Sequence, residues 1–300
     1  MHDDVIDQVT HYKNSLTGKD VDLAGWLHEE QRARVCQPRM FALELINTLV
    51  NGGEKGHATP WEATAGKFEF RESELTVWTG WKGHGKSLVL SQVIEKFISD
   101  GKKAFIISPE FPPHRILYRM MMQSVGYYNM NGKTAFEWLG AIDDSLWLYD
   151  QQSSLKPLEI PALCRYAVGE HGVDHIVIDS LMKCGIPPDD FSGQKKLVDS
   201  IQQVAHNSNA HIHLVAHSRK SGDDSKIGGL HDVKGSSEIA DMAENVIVVW
   251  RNKPKEMGGG KKDEPDCIVK IEAQRNGDGW IGQIPLWFKK SNFTFHGDPT

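Results

Sequence analysis

The stretch Leu75-Thr76-Val77-Trp78-Thr79-Gly80-Trp81-Lys82-Gly83-His84-Gly85-Lys86-Ser87 decides the fold. Its first four residues are a short apolar run that reads as a buried strand. A glycine-rich turn follows. From about Ser87 the residues Leu88, Val89, Val93, Ile94, Phe97 and Ile98 recur at helical spacing, and Gly101 closes that helix. Gly80 to Ser87 fits G-x-x-x-x-G-K-[ST]. The glycines let the backbone wrap an anion so that successive N–H groups point inward, and the helix N-terminus adds positive potential. Gly80, Lys82, Gly83, His84, Gly85, Lys86, Ser87 and Leu88 would then cradle a nucleotide such as ATP. Lys86 reaches the β- and γ-phosphates and the Ser87 hydroxyl ligates Mg²⁺.

Outward from this loop the chain alternates strand and helix. Short apolar strands are expected at 104–107, 146–149, 175–178, 213–216 and 246–250, and helices at 114–125, 159–170, 196–206 and 237–243. A closing hairpin is expected at 268–273 and 282–288, and a polar loop at 252–266. The pattern implies an α/β fold with a mostly parallel central sheet covered by helices on both faces. A phosphate loop needs a second carboxylate at a strand end to hold the magnesium shell, and Asp179 ends the strand at 175–178. Hydrolysis needs a base for the attacking water. Glu110 follows the strand at 104–107, at the sheet edge where ligands bind in α/β folds.

The 300 residues suit one large domain or two small ones. Hydrophobic residues make up 39% and charged residues 25%, which supports a sizeable core and excludes global disorder. No apolar run approaches the roughly 18 residues of a membrane helix, and the Met-His-Asp-Asp start lacks the order of a signal peptide. Cys36, Cys164, Cys184 and Cys267 are too scattered for a disulfide framework or a zinc site. His211 and His213 share a strand face with His217 beyond, and no metal is expected there. A formal charge of −6 excludes a protein that coats nucleic acid by being basic all over. Residues 1–60 read as a helical arm, with helices at 3–16, 23–35 and 38–50. Phe41, Leu45, Ile46 and Leu49 fall at helical spacing in the last of these. Two readings stand for this segment: an arm docking on a neighbouring subunit, or a cap on its own domain, 61–300.

With these pieces placed, residues 71–295 resemble the hexameric replicative helicases of the DnaB-like superfamily, and the branch containing phage primase–helicases and mitochondrial Twinkle most of all. The resemblance implies a RecA-like P-loop NTPase fold, with Glu110 as catalytic glutamate and Asp179 as magnesium aspartate. Leu214-Val215-Ala216-His217-Ser218-Arg219-Lys220 resembles the strand ending in that branch's γ-phosphate sensor, His217, with Arg219 and Lys220 relaying to DNA. Lys234-Gly235-Ser236-Ser237-Glu238-Ile239 is similar to the loop that lines the hexamer channel, which makes Lys234, Gly235 and Ser236 DNA-binding candidates. Gln274-Arg275-Asn276-Gly277 resembles the arginine-finger segment, so Arg275 would reach a neighbour's γ-phosphate. Arg251 and Phe288 fall where the family contacts the nucleotide base, although Phe288 serves equally well as a core aromatic.

The sequence departs from the family at Ala273, where many members carry a lysine; Lys270 is one substitute for it. The resemblance covers no primase portion, so priming or loading by a separate protein is implied. The implied partners are single-stranded DNA and five further copies in a ring, in the cytoplasm of a bacterial or phage-infected cell. Two other readings share the same core. One is a RecA-, RadA- or KaiC-like ATPase of recombination or regulation. The other is a helicase-derived DNA-binding or loader protein with little turnover.

Overall fold

In the computed structural model, residues 37–50, 53, 55–218, 227, 237–261 and 263–299 are described. The chain divides into two units, Met1–Glu54 and Lys55–Thr300. In the first, a 3-10 turn at Pro38–Phe41 leads into helix α1, Ala42–Val50. Leu43, Leu45, Ile46, Leu49 and Val50 are exposed on it. The helices expected at 3–16 and 23–35 lie outside the described residues.

The second unit opens with an antiparallel two-stranded ribbon, β1 (His57–Ala58) and β2 (Glu69–Phe70). The parallel part of the domain follows: β3 (Leu75–Thr79), α2 (Lys86–Ser99), β4 (Ala104–Ile107), α3 (Pro113–Val125), α4 (Gly132–Ile142), β5 (Leu146–Tyr149), α5 (Glu159–His171), β6 (His175–Asp179), α6 (Phe191–Ser208), β7 (His211–Val215), α7 (Ser237–Met242) and β8 (Asn245–Arg251). A short helix α8 (Lys253–Glu256) and the strands β9 (Cys267–Gln274), β10 (Gly282–Lys289) and β11 (Thr294–His296) complete it. Among the described residues the main sheet has nine strands, in the order β11-β10-β9-β8-β3-β7-β6-β4-β5. The strands from β5 to β8 run parallel, and β9, β10 and β11 extend that sheet antiparallel.

Alternate residues of the strands feed two cores. On one face Leu75, Val77, Ile176, Ile178, Ile212 and Leu214 pack with Ile160 and Cys164 of α5, Leu197, Val198 and Ile201 of α6, and Ile239 and Ala240 of α7. On the other, Trp78, Ile106, Val177, Val215 and Val249 meet Val89, Val93, Ile94 and Phe97 of α2, Met120 and Met121 of α3, and Trp138 of α4. Every residue of β3, β4, β6 and β7 is buried, as a parallel sheet covered on both faces requires.

Several elements differ from the sequence expectation, each for a local reason. Helix α6 starts earlier, at Phe191, because the Asp190 side chain caps it by accepting from Gly193 N at 2.8 Å. Strand β7 starts earlier, at His211, because its two histidines are buried rather than solvated. Helix α4, strand β11 and the β1–β2 ribbon have no counterpart among the expected elements. The stretch 252–266 contains α8 and is tied down by ion pairs from Arg251 to Glu256 and from Lys255 to Asp266.

At the amino edge of the sheet a buried carboxylate gathers distant segments. Glu244 Oε2 accepts from Leu75 N at 2.8 Å, and Oε1 accepts from Gln202 Nε2 at 2.7 Å. Arg275 donates its backbone N–H to Glu244 O at 2.8 Å and sets its guanidinium 3.7 Å from Glu244 Oε1. Removing that carboxylate orphans a buried N–H at the start of the central strand. Glu244→Ala should therefore lower unfolding stability by about 2–4 kcal/mol in a urea titration. A loss below about 0.5 kcal/mol would show that this network does not hold the edge.

Candidate functional site

The carboxyl ends of β3, β4, β6 and β7 lie together at one edge of the sheet. From them leave the glycine loop, Glu110, Asp179 and His217. Ligands of open α/β sheets bind at this edge, where strand order reverses around the central strand. A cavity of about 480 Å³ is lined there by Gly83, Lys86, Ser87, Glu110, Asp179 and His217, with Lys82, Gly85, Leu88, Phe111, Arg119 and Phe288 also contributing.

The loop is seated by close backbone packing. Gly80 has φ 138°, and a Cβ there would lie 2.2 Å from the Val249 carbonyl of β8, so only glycine fits. Gly83 and Gly85 also take positive φ, at 82° and 85°. Buried His84 accepts at Nδ1 from Arg251 N at 3.1 Å and so pins the loop to β8. Lys86 Nζ donates to Gly80 O at 2.8 Å and Trp81 O at 3.1 Å, folding back over its own loop. Burial lowers its pKa to about 8, against the opposing pull of Asp179 and Glu110.

The carboxylates take two environments. Asp179 is 6% exposed; burial raises its pKa, and a hydrogen bond from the Ser87 side chain opposes the rise. Glu110 is held at about 2, first by the facing His217 imidazole and then by Ser180, which together outweigh its desolvation. Ser180 Oγ donates to Glu110 Oε1 at 2.7 Å, and His217 Nε2 lies 3.8 Å from the same oxygen. The Nδ1 of His217 is buried and has no hydrogen-bond partner among the described residues. The glycine cradle, the Lys86 ammonium and the adjoining Ser87 and Asp179 oxygens fit a nucleotide phosphate with a hard divalent cation. Among the described residues no three His, Cys, Asp or Glu side chains could hold a metal ion by themselves. A cation here would be shared with phosphate oxygens.

The other expected site residues divide. Arg251 and Phe288 line a recess of about 170 Å³ beside His84, Gly85 and Leu88. Arg251 Nε donates to Glu256 Oε1 at 2.5 Å. Phe288 also packs against Phe295, with ring centroids 5.0 Å apart, at the border of the second core. Arg275 is not brought to this cavity: it lies at the opposite, amino edge beside Glu244, where Nη2 also donates to Asp241 O at 2.5 Å. Lys270 is ion-paired with Glu272, and Ala273 packs on the core. Arg219, Lys220, Lys234, Gly235 and Ser236 lie outside the described residues.

One charged residue lining the cavity is not singled out by its sequence. Arg119 of α3 lies 4.3 Å above the Phe111 ring and feels the Asp179 charge, which opposes the lowering of its pKa by burial. An arginine inside an amphipathic helix carries no signal of its own; only its position on the helix after Glu110 points there.

Comparison with known proteins bears on the family and the fold. The family described as the DnaB-like helicase C terminal domain matches residues 62–297. One solved ATPase domain superposes with a TM-score of 0.70 at 13% identity, covering 85% of this chain and 96% of that one. A DnaB-like replicative helicase, whose structure was described with its interactions with primase, gives 0.72 at 14% identity, covering 97% of this chain and 74% of that one. At such identities the likeness speaks for the fold, a RecA-like ATPase domain with a mostly parallel sheet. The family match spans most of the sequence, and the chain belongs to the DnaB-like helicase C-terminal domain family.

Proposed function

We propose that this chain is an ATP-driven DNA helicase motor, a ring of six copies after the pattern of the family it resembles, that translocates on single-stranded DNA and unwinds duplex. The observation that carries the reading is the gathering of Lys86, Ser87, Glu110, Asp179 and His217 around one cavity at the carboxyl edge. Lys86 and the loop N–H groups hold the β- and γ-phosphates, and Ser87 and Asp179 hold Mg²⁺. When bound, the ion would neutralise phosphate charge.

Glu110 is the base. Its low pKa keeps it ionised, and Ser180 and His217 orient its carboxylate toward an attacking water. His217, just past the end of β7 and lining the cavity beside Glu110, senses the terminal phosphate and its departure. Arg251 and Phe288 bind the base. Arg275, remote from its own chain's cavity, acts on a neighbour's γ-phosphate. Arg219, Lys220, Lys234, Gly235 and Ser236 contact the DNA backbone in the channel. The exposed aliphatic face of α1 ties neighbouring copies together, and a separate primase or loader serves the ring.

The direct test is unwinding of a forked duplex, with DNA-stimulated ATP hydrolysis and particle mass measured in parallel. Unwinding by a multi-subunit particle is expected, with Lys86→Ala reducing turnover at least about 10³-fold; substantial hydrolysis by that variant would remove the loop from the mechanism. Arg275→Ala should abolish turnover yet bind nucleotide normally, and mixing it with Lys86→Ala subunits should restore activity at mixed interfaces. No recovery on mixing would argue against action across a subunit boundary. The Lys86 pKa of about 8 in the free protein adds a pH signature. As pH rises above that value the free site loses its cation, so nucleotide affinity should fall by up to about tenfold per pH unit. Affinity that stays level up to about pH 9.5 would show that burial does not bring the Lys86 pKa down to that value.

A further inference from the structure

Away from the nucleotide cavity, four histidines from three strands are packed together: His57 of β1, His175 of β6, and His211 and His213 of β7. His175, His211 and His213 are fully buried, whereas His57 is half-buried at the rim. Their nitrogens pair off instead of converging. His57 Nδ1 lies 2.6 Å from His175 Nε2, and His175 Nδ1 lies 3.2 Å from His213 Nε2.

The end of this chain fixes its polarity. Trp78 Nε1 can only donate, and it lies 3.2 Å from His213 Nδ1. His213 therefore carries its proton on Nε2 and donates to His175 Nδ1. His175 in turn carries its proton on Nε2 and donates to His57 Nδ1. His57 is left with its proton on Nε2. The neighbouring His211 is fixed as well, because Nδ1 must donate to Arg71 O at 2.5 Å and Nε2 then accepts from Thr76 Oγ1 at 2.8 Å. Every ring is neutral, and each nitrogen along the chain already has a role. An added proton has no place unless His57 leaves His175 or Trp78 loses its acceptor.

The surroundings oppose a buried charge. The Phe97 ring of α2 stacks on His175 at 4.0 Å, and Phe70 of β2 meets His211 and His213 edge-on. The charged groups that act on His57 are Lys102 before β4, Asp174 before β6, Glu72 after β2 and Asp100 after α2. Lys102 and Asp174 pair with each other at 3.6 Å. Burial lowers the pKa of all four histidines.

Strand β2 is anchored independently by buried Phe68 and Phe70. Among the described residues strand β1 pairs only with β2, and His57 supplies its hydrogen-bonded link to the central sheet. We propose that His57, His175 and His213 form an acid-sensitive latch, which fastens β1 to the central sheet while neutral and releases it when a proton enters the chain. The latch sits at the start of the second unit. The sign follows from linkage: the closed form binds fewer protons than the open one, so the latch contributes its full stability above the free-histidine pKa near 6.5 and loses it progressively as pH falls below that value.

Hydrogen exchange from pH 7 to pH 5, corrected for intrinsic rates, tests the latch, with ring-nitrogen NMR reporting tautomers. For release governed by His57, protection of the amides at 56–58 should fall about 25-fold over this range while β6 and β7 stay protected. At pH 7 the rings of His57, His175 and His213 should be neutral with protons on Nε2. His57→Asn keeps an acceptor in the Nδ1 position without a titrating group and should make protection independent of pH. His57→Phe removes the acceptor and should leave β1 open throughout. The proposal is overturned by level protection in the natural protein, by an equal fall in His57→Asn, by simultaneous loss across β6 and β7, or by a protonated His175 at pH 7.

Discussion

The fully enclosed position of β3 is the constraint on which the rest depends. The strand is paired to β7 on one side and β8 on the other, and every residue along it is buried. A strand so held can neither shift register nor tilt without breaking both ladders. Its carboxyl end therefore delivers Gly80 to one fixed spot against Val249, and the loop must turn there with a residue that has no Cβ. Because β6 and β7 are parallel partners in the same block, their last residues arrive at the same height, which brings Asp179 and His217 to the loop without further contrivance.

The parts of the site that are legible in the sequence are those in which a polar residue ends an apolar run. Ser87, Glu110 and Asp179 each mark a strand or helix terminus locally, and a parallel sheet converts that one-dimensional signal into a shared edge. The parts that are not legible depend on partners far away in the chain. Arg119 is an ordinary helical arginine until Phe111 and Asp179 surround it. His211 reads as a polar residue ahead of a strand expected from 213, although the ring nitrogens of His211 and His213 are satisfied by Arg71, Thr76, Trp78 and His175. Ribbon β1–β2 and strand β11 are too short for periodicity to register, and they exist because the second core receives Phe70 and Phe295.

The two ends of the parallel block differ in their chemistry. At the carboxyl edge, charge is arranged around open space: Lys86 and Arg119 face Asp179 and Glu110 across the cavity, so a polyanion with its cation can enter without stranding any of them. At the amino edge the polar groups are consumed by one another. Glu74 accepts from Asn245 and Asn276, and Glu244 from Leu75 N and Gln202. One edge is built to bind and the other to hold, which explains why Arg275 finds partners in its own chain although its segment resembles one that works elsewhere.

The Glu244 carboxylate accepts from Leu75 N and lies 3.7 Å from the Arg275 guanidinium, while Arg275 N donates to the Glu244 backbone carbonyl. Between Leu75 and Gly80 lies only the five-residue rod of β3, about 17 Å long and clamped along both sides. Mechanically the arrangement is a pushrod. A displacement of Arg275 would bear on the foot of the central strand, and a rod that cannot bend sideways would carry it toward the glycine loop at its head.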